Sequence, residues 1–296
     1  MPENHASKTG TLYIVATPIG NFEDISPRAV RTLNEVSLIA AESKLSAKKL
    51  LSRIGCPTPF TLYNEHSTQQ QRQQLIQHLL SGQHLALTSD AGTPLLSDPG
   101  YRLVEQAINA GILLVPIPGS SAISACLSIA GLPTDRFIFH GFAPRQKSQR
   151  IEWANTLAQE SATHVVFESS QRLLALTTTL LEQLEPERRI VLCQELTKMH
   201  ERITRCKLQD MVLKLQQDQI DLRGESVLVI EGCQTAITTN DQTARILKSL
   251  LDLCPPAEAA RRAAELTGQP RRKLYALALS LTDATSANAL KKEQGS

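Results

Sequence analysis

Residue types that are suited to bind small ligands are concentrated in one segment, residues 89–100, which reads SDAGTPLLSDPG. An apolar run at 85–88 predicts a buried strand before it, and periodic apolar residues at 101–110 predict a helix after it. Open α/β sheets bind ligands at this junction. Asp90 and Asp98 offer acceptors for hydroxyl and amino groups. The segment predicts a ligand-binding loop, although a turn-rich loop with capping aspartates has a similar composition.

The elements that position this loop alternate between short apolar strands and helical segments. In the first half the apolar runs predict strands at 11–16, 37–41, 58–62, 85–88 and 112–117. In the second half they predict strands near 137–140, 164–168, 189–193 and 226–231, with helices near 148–159 and 171–184. Strands that alternate with helices predict an α/β fold, with a parallel sheet in the first half.

The 296 residues are enough for two domains and a smaller third piece. We predict a disordered N-terminus at 1–10, an N-terminal α/β domain at 11–119, a C-terminal α/β domain at 120–236 and a helical basic tail at 237–296. Residues 241–296 carry nine Lys or Arg against six acidic residues, whereas the whole chain has a net charge of only +2. Any surface for nucleic acid is therefore expected in the tail.

Cysteine usage and hydropathy limit the class of protein. The six cysteines form no CxxC pair and no cluster with His at zinc-like spacing. The first ten residues lack a signal-peptide core, and no apolar stretch approaches the ~20 residues of a membrane helix. We therefore expect a reduced, cytoplasmic protein with no metal and no membrane association.

Seven phrases occur in a fixed order along residues 11–235. They are LYIVATPIGN at 12–21, SDAGTP and SDPG within 89–100, PIPG with SA at 116–122, AGLPTDRF at 130–137, GF with Pro144 at 141–144, ELTK at 195–198, and GE with EG at 224–232. Together they resemble the tetrapyrrole-methylase-like superfamily. Within it they are most similar to the ribosomal RNA small-subunit methyltransferase I family.

This resemblance implies two α/β domains with S-adenosylmethionine bound in the cleft between them, and a homodimer. It implies methylation of the ribose 2′-hydroxyl of a cytidine in small-subunit (16S) ribosomal RNA, within the small ribosomal subunit. The cofactor-binding positions that it implies lie in both halves of the chain: Pro18, Asp90, Ala91, Gly92, Thr93, Ser121, Ala122, Phe167 and Leu196.

Methyl transfer to a hydroxyl depends mainly on positioning, and a base can remove the hydroxyl proton. The candidates for that base are Glu42, Glu65, Glu168 and Lys198. A surface or capping role is an alternative for each of the four, and the sequence leaves the base unassigned.

The chain departs from the family phrases at several polar positions, which are Ser43, Lys44, Leu45, Asn64, Ser67, Phe167, Gln171 and Gln194. Gln194 stands where the family has an arginine, so a fork of donors suited to phosphate is missing. We expect these positions to face the cleft. A divergent active enzyme and a relative that binds without efficient transfer are both compatible with this pattern.

Contacts with RNA phosphates require clustered Lys and Arg. The candidates are Lys44, the group Arg145, Lys147 and Arg150, and the tail group Arg271, Arg272 and Lys273. Two tail helices joined near residues 268–270 are compatible with a helix-turn-helix or with a docking helical hairpin. Neither basic patch contains aromatic residues apart from Tyr275, so the patches give no signal for base stacking.

Two other functions compete with methylation of ribosomal RNA. Methylation of a small tetrapyrrole in cobalamin or sirohaem synthesis is a second activity of the same superfamily. A catalytically impaired, ribosome-associated binding protein is the third possibility, because the chain departs from the family at polar positions.

Overall fold

The computed structural model describes residues 9–233, 239–279 and 281. The chain divides into two compact units, Met1–Gly232 and Cys233–Ser296. The predicted boundary between residues 236 and 237 lies outside the described residues, as does most of the predicted N-terminal segment. The predicted domain limits therefore stay a prediction. Gly10 precedes the first strand, and its N–H donates to the Leu79 carbonyl at 2.7 Å.

The first sheet has five parallel strands in the order β3-β2-β4-β1-β5. The strands are β1 (Thr11–Val15), β2 (Leu38–Ala41), β3 (Phe60–Leu62), β4 (Leu85–Thr88) and β5 (Leu113–Ile117). The helices between them are α1 (Pro27–Glu35), α2 (Lys44–Arg53), α3 (Gln69–Leu80) and α4 (Tyr101–Asn109). The predicted α/β fold is confirmed, and all five strands of the first half lie where the apolar runs place them.

Helices cover both faces of this sheet. One core cluster joins α1 and α2 to the sheet through residues such as Leu33, Leu50 and Ile39. The other joins α3 and α4 to the opposite face through residues such as Leu79 and Leu103. Because both faces are covered, the strands are almost wholly apolar, as β4 is, and their carboxyl ends form one edge of the sheet.

The second sheet has the order β6-β7-β10-β8-β9. Its strands are β6 (Phe137–Phe142), β7 (Thr163–Ser169), β8 (Arg189–Gln194), β9 (Arg202–Lys207) and β10 (Glu225–Ile230). β6 is parallel to β7, and the other neighbouring strands are antiparallel. Helices α5 (Ala122–Ala130), α6 (Lys147–Ala158), α7 (Leu173–Gln183) and α8 (Leu208–Gln216) surround it. The elements predicted from the sequence did not include β9 or α8.

The two faces of the second sheet pack against different helices. Alternate residues such as Val166 and Leu228 join α6, α7 and α8 in one core cluster. Their neighbours Val165 and Val227 join α5 in the other. This alternation has the two-residue period of a β-strand.

The second unit is helical. It contains α9 (Thr239–Leu251), α10 (Pro256–Thr267) and a helical segment at 271–279. Gly268 takes a left-handed conformation (φ +68°) and ends α10. Small and aliphatic residues form the core of this second unit, which contains Leu247, Ala259, Ala260, Ala263, Leu274 and Ala278.

All six cysteines lie among the described residues, and they form no disulfide bond with one another. Within residues 9–233, 239–279 and 281, no three His, Cys, Asp or Glu side chains are grouped to hold a metal ion. No helix in that part of the chain is both long and apolar enough to cross a bilayer.

Candidate active site

A cleft of about 370 Å³ lies at the carboxyl edge of the first sheet, and the second sheet forms its opposite wall. Its volume is in the range of small-molecule sites, about 300–1,000 Å³. Ile19 follows β1, Glu42 follows β2, and residues 90–93 and 96–98 follow β4. All of them line the cleft. The N-terminus of α5 and the ends of β6, β7, β8 and β10 complete the lining.

Hydrogen bonds hold the loop after β4 in place. The Asp90 N–H donates to Glu42 Oε2 at 3.0 Å, and the Ser43 N–H donates to Asp90 Oδ1 at 3.1 Å. The backbones of Thr17 and Gly92 exchange two hydrogen bonds of 2.8 and 3.0 Å. The loop is thus tied to the ends of β1 and β2, which fixes the Asp90 carboxylate beside the cleft.

The first wall is acidic. Glu42, Asp90 and Asp98 line it together. Burial raises the pKa of Asp98 to about 6, against a hydrogen bond from Ser89 that lowers it. Burial also raises the pKa of Glu42, and the Asp90 N–H partly offsets the rise. Three carboxyls on one wall favour a positively charged ligand group.

The opposite wall is mainly apolar. Phe142, Phe167, Leu196 and Val227 line it. The Phe142 and Phe167 ring centroids are 5.8 Å apart with an edge-to-face geometry. Phe167 also contacts Phe139 edge-to-face at 4.8 Å. This wall suits the flat face of an aromatic ligand group.

Residues with strained backbone flank two leucines of the cleft, Leu96 and Leu196. Leu95 and Ser97 have φ values of +73° and +71°, and they flank Leu96. Glu195 and Thr197 have φ values of +49° and +65°, and they flank Leu196. Among the described non-glycine residues only Asp218 is also left-handed. Such strain is typical of ligand sites, because the surrounding structure must enforce it.

Eight of the nine predicted cofactor residues line this cleft, namely Asp90, Ala91, Gly92, Thr93, Ser121, Ala122, Phe167 and Leu196. Pro18 does not line it, because that residue is buried and the neighbouring Ile19 lies at the cleft instead. What these residues bind stays a prediction at this point.

The four base candidates separate into two pairs. Glu42 and Glu168 line the cleft, whereas Glu65 and Lys198 are not part of its lining. The Glu65 side chain is 79% exposed and lies 3.4 Å from His66. Burial lowers the pKa of Lys198, but hydrogen bonds to Glu225 and Glu195 outweigh it, so that the net pKa is raised. Lys198 therefore remains protonated and is unsuited to accept a proton.

Glu168 is fully buried and already engaged. Its Oε1 accepts from the Ser169 N–H at 2.8 Å, and its Oε2 lies 3.2 Å from Arg172 Nη2. Burial raises the pKa of Glu168 despite these contacts. The arrangement points to a structural role in orienting Arg172.

The sequence placed Asp98 in the predicted ligand-binding loop but not among the cofactor or base residues, and it did not assign Phe142 to the site. The structure places both in the cleft lining. The signal for Asp98 was available, because it repeats the Ser-Asp pattern of residues 89–90 within one loop. Phe142 belongs to the family phrase GF, but its position in the cleft depends on a bulge in β6 that periodicity does not reveal.

The predicted RNA contacts need one correction. Lys44, Arg145 and Lys147 are exposed, but Arg150 is only 9% exposed. Its Nε donates to Thr179 Oγ1 at 3.1 Å, and its Nη1 donates to the Arg145 carbonyl at 3.3 Å. A guanidinium held inside the fold cannot contact a phosphate, so Arg150 has a structural role.

In the second unit, the tail group Arg271, Arg272 and Lys273 is exposed at the start of the helical segment 271–279. By contrast, Arg261 is engaged within α10 and bonds to Glu258 and Glu265. The three exposed cations that are predicted to contact RNA in the tail therefore lie at the start of the helical segment 271–279.

All but one of the departures from the family phrases lie outside the cleft lining, contrary to expectation. Phe167 is the one such position in the lining; Ser43, Lys44, Leu45, Asn64, Ser67, Gln171 and Gln194 are absent from it. Gln194 is buried and lines a separate polar cavity of about 320 Å³ beside Arg202 and Arg223. Side-chain changes at these positions thus leave the cleft wall nearly intact.

The fold and the cleft define a class of protein that sequence comparison identifies. The model of the tetrapyrrole (corrin/porphyrin) methylases matches residues 11–212, and the chain belongs to that family. A second model, the RsmI C-terminal HTH domain, matches residues 238–282. Within the family the chain belongs with the ribosomal RNA small subunit methyltransferases I. The predicted family is confirmed.

Two relatives show the extent of this similarity. The chain is 42% identical to the ribosomal RNA small subunit methyltransferase I of Pseudomonas aeruginosa, over 91% of this chain and 97% of the relative. It is 40% identical to the protein of the same name from Xylella fastidiosa, over 91% and 99% of the two chains. The similarity therefore extends across nearly the full length of the relatives.

Solved structures share the fold at low sequence identity. Diphthine synthase matches with a TM-score of 0.58 and 15% identity, over 75% of this chain and 90% of the other. Uroporphyrin-III C-methyl transferase from Thermus thermophilus, complexed with S-adenosyl homocysteine, matches with a TM-score of 0.53 and 17% identity, over 75% and 97%. At these identities the likeness shows the fold alone.

Proposed function

We propose that this protein is an S-adenosylmethionine-dependent methyltransferase that methylates a ribose 2′-hydroxyl of a cytidine in small-subunit ribosomal RNA. The observation that carries the proposal is the composition of the cleft. It has an acidic wall and an apolar wall in a chain about 40% identical to ribosomal RNA small subunit methyltransferases I.

The residues present fit S-adenosylmethionine. Its sulfonium and ammonium groups are cationic, and Asp90 and Asp98 on the acidic wall supply negative charge. Its adenine is flat and apolar on its faces, and Phe167 and Leu196 form a matching surface. The bound cofactor would supply an activated methyl group.

The chain's own part in the reaction is to position the ribose and to accept its proton. Asp98 lines the cleft, and burial raises its pKa to about 6. At pH 7.5 this carboxylate is ionised and its pKa is close enough to the operating pH for efficient proton transfer. Glu42 Oε2 accepts from the Asp90 N–H, so we assign Glu42 to loop positioning and the base role to Asp98.

We assign the RNA phosphates to Lys44, Arg145 and Lys147 in the first unit and to Arg271, Arg272 and Lys273 in the second. All six side chains are exposed. The match to a C-terminal HTH domain supports the tail assignment, since helix N-termini of such motifs contact nucleic acid. The substrate is expected to be the folded small subunit, and the protein to act in the cytoplasm as a homodimer.

The two rival functions receive less support. Methylation of a tetrapyrrole agrees with the fold. However, the relatives near 40% identity are named ribosomal RNA small subunit methyltransferase I, and residues 238–282 match the RsmI C-terminal HTH domain. A catalytically impaired binding protein was motivated by the departures from the family phrases. Those departures lie outside the cleft lining except at Phe167.

The direct test is to incubate unmodified small ribosomal subunits with radiolabelled S-adenosylmethionine and to map ribose methylation. The proposal expects one labelled cytidine 2′-oxygen, and no label on subunits that already carry the modification. Absence of label on unmodified subunits, with a folded protein that binds the cofactor, would exclude the proposal. A labelled porphyrinoid in a parallel reaction would favour the tetrapyrrole alternative.

A further inference from the structure

Phe142 is a large apolar side chain that is 60% exposed where it lines the cleft. Leu96, from the loop after β4, also lines the cleft and is 44% exposed. Phe167, the other aromatic residue of the lining, is less exposed because it packs between Phe139 and Phe142. Phe142 and Leu96 therefore leave an apolar surface open at the cleft.

A β-bulge directs Phe142 to this position. The pairing of β6 with β7 shifts register between Phe139 and Phe142, and Gly141 in the shifted stretch has φ +66°. Bulges beside active sites commonly re-aim a side chain. The stretch also lies against the loop after β4, since a Cβ at Gly141 would be 3.3 Å from Ser97 Oγ. The segments that carry Phe142 and Leu96 are thus in contact.

The backbone that follows Phe142 is held by hydrogen bonds from Arg172. Arg172 Nη2 donates to the Ala143 carbonyl at 3.0 Å and to the Pro144 carbonyl at 3.2 Å. The same nitrogen lies 3.2 Å from the buried Glu168 carboxylate. Glu168 and Arg172 therefore hold the backbone that presents Phe142, which explains a buried carboxylate in the cleft wall.

The surroundings of Phe142 match one kind of ligand group. Arg145 and Lys147 follow within five residues and are exposed. An exposed aromatic ring next to cations is the combination that binds unpaired nucleotides, because the ring stacks on a base and the cations contact phosphates.

We infer that Phe142, with Leu96, forms the stacking surface for the base of the target nucleotide, extruded from the ribosomal RNA. This inference rests on the proposed function and names the contact that brings the ribose to the cleft. Phe142 also provides the aromatic side chain for base stacking that the basic patches lack apart from Tyr275. Gly141 and Arg172 are positioning residues for this ring.

The test compares Phe142→Ala, Phe142→Trp and a matched control, Phe137→Ala. Phe137 begins the same strand, is 46% exposed and is not part of the cleft lining. Stacking of one base contributes about 1–3 kcal/mol. Phe142→Ala should therefore lower kcat/KM for unmodified subunits roughly 5- to 150-fold, while Phe142→Trp and Phe137→Ala stay within about threefold of the wild type.

Two binding measurements identify what the ring contacts. Calorimetry with S-adenosylmethionine should give the same affinity for Phe142→Ala as for the wild type. Filter retention of unmodified subunits, with S-adenosylhomocysteine present, should weaken for Phe142→Ala but not for Phe137→Ala. Loss of cofactor affinity in Phe142→Ala would mean that the ring holds the cofactor, and equal behaviour of the two alanine variants would remove the stacking role.

The failure of this inference is distinguishable from the failure of the proposed function. If the wild type transfers no methyl group to subunits, the proposed function is wrong, and the retention measurement still decides the role of Phe142. If the wild type also fails to retain subunits, both are overturned.

Discussion

The Asp90 N–H donates to Glu42 Oε2 at 3.0 Å, and this bond links the ends of the neighbouring strands β4 and β2. The Glu42 carboxylate thus holds the loop that lines the acidic wall. Because this hydrogen bond needs only an acceptor oxygen, a neutral amide at residue 42 can replace the carboxylate.

We therefore expect Glu42→Gln to retain cofactor affinity within about threefold, whereas Glu42→Ala leaves the Asp90 N–H unpaired. This hydrogen bond lies at an exposed backbone, and a bond of this kind contributes about 0.5–1.5 kcal/mol, which corresponds to a roughly 2- to 13-fold loss of affinity if the loop opens. Calorimetry with S-adenosylmethionine on both variants measures the difference. Equal losses for the two variants would show that the negative charge, and not the hydrogen bond, is what matters.

Asp98 should set the acidic limb of the pH–rate profile. Burial raises its pKa to about 6, so kcat/KM should rise with pH through about 6 as the carboxylate ionises. Asp98→Asn should lower kcat/KM about 100-fold or more and abolish that limb. If kcat/KM of the variant still rises with pH through about 6, the titration belongs to another group.

The same substitution has a predictable effect on stability. The folded pKa of Asp98 lies above the ordinary value of an aspartate, so the folded state binds this proton more tightly than the unfolded state does. The ionised carboxylate therefore costs stability above pH 6, and the cost is relieved as pH falls from about 6 to 4. Asp98→Asn should be more stable than the wild type at pH 7.5 and lose that advantage near pH 4, as measured by urea unfolding.

Arg150 and its basic neighbours should respond differently to truncation. Arg150→Ala removes one buried and one partly buried hydrogen bond from a guanidinium and should lower the free energy of unfolding by roughly 2–4 kcal/mol. The double variant Arg145→Ala with Lys147→Ala should leave stability within about 0.5 kcal/mol, but weaken retention of small subunits. Urea unfolding and filter retention, applied to both variants, separate the structural from the RNA-binding role.

Replacement of Arg271, Arg272 and Lys273 by Ala should weaken subunit binding and leave cofactor affinity unchanged. Each phosphate contact that is lost should reduce the salt slope of binding by about 0.7–0.9. A control with the exposed Arg28 and Arg31 of α1 replaced by Ala removes similar charge elsewhere. If the control weakens binding equally, net charge rather than the tail accounts for the effect.

The sequence predicted the first half of the fold well, because each parallel strand is an apolar run between helices. It missed β9, whose residues RITRCK are all exposed or half-buried and include three cations, so no apolar run marks this edge strand. It also missed α8, although Leu208, Met211, Val212 and Leu215 are buried at helical spacing. The signal for α8 was present in the sequence.

The site was predictable where backbone motifs define it and less so where side chains converge from distant segments. The loop at 89–100 and Leu196 could be found from family phrases. The burial of Arg150 depends on Thr179 of another helix, and the exposure of Phe142 depends on a bulge. Neither property is written in local composition, so the sequence misplaced the first and overlooked the second.

Calorimetry tests most directly whether the cleft between the two sheets binds the methyl donor. Ser121 lines the cleft and its side chain makes no capping bond, whereas Ser128 is exposed on the same helix. S-adenosylmethionine should bind the wild type and Ser128→Trp equally, and Ser121→Trp should lose binding while circular dichroism shows that it remains folded. Unchanged binding in a folded Ser121→Trp, or no binding by the wild type, would contradict the account.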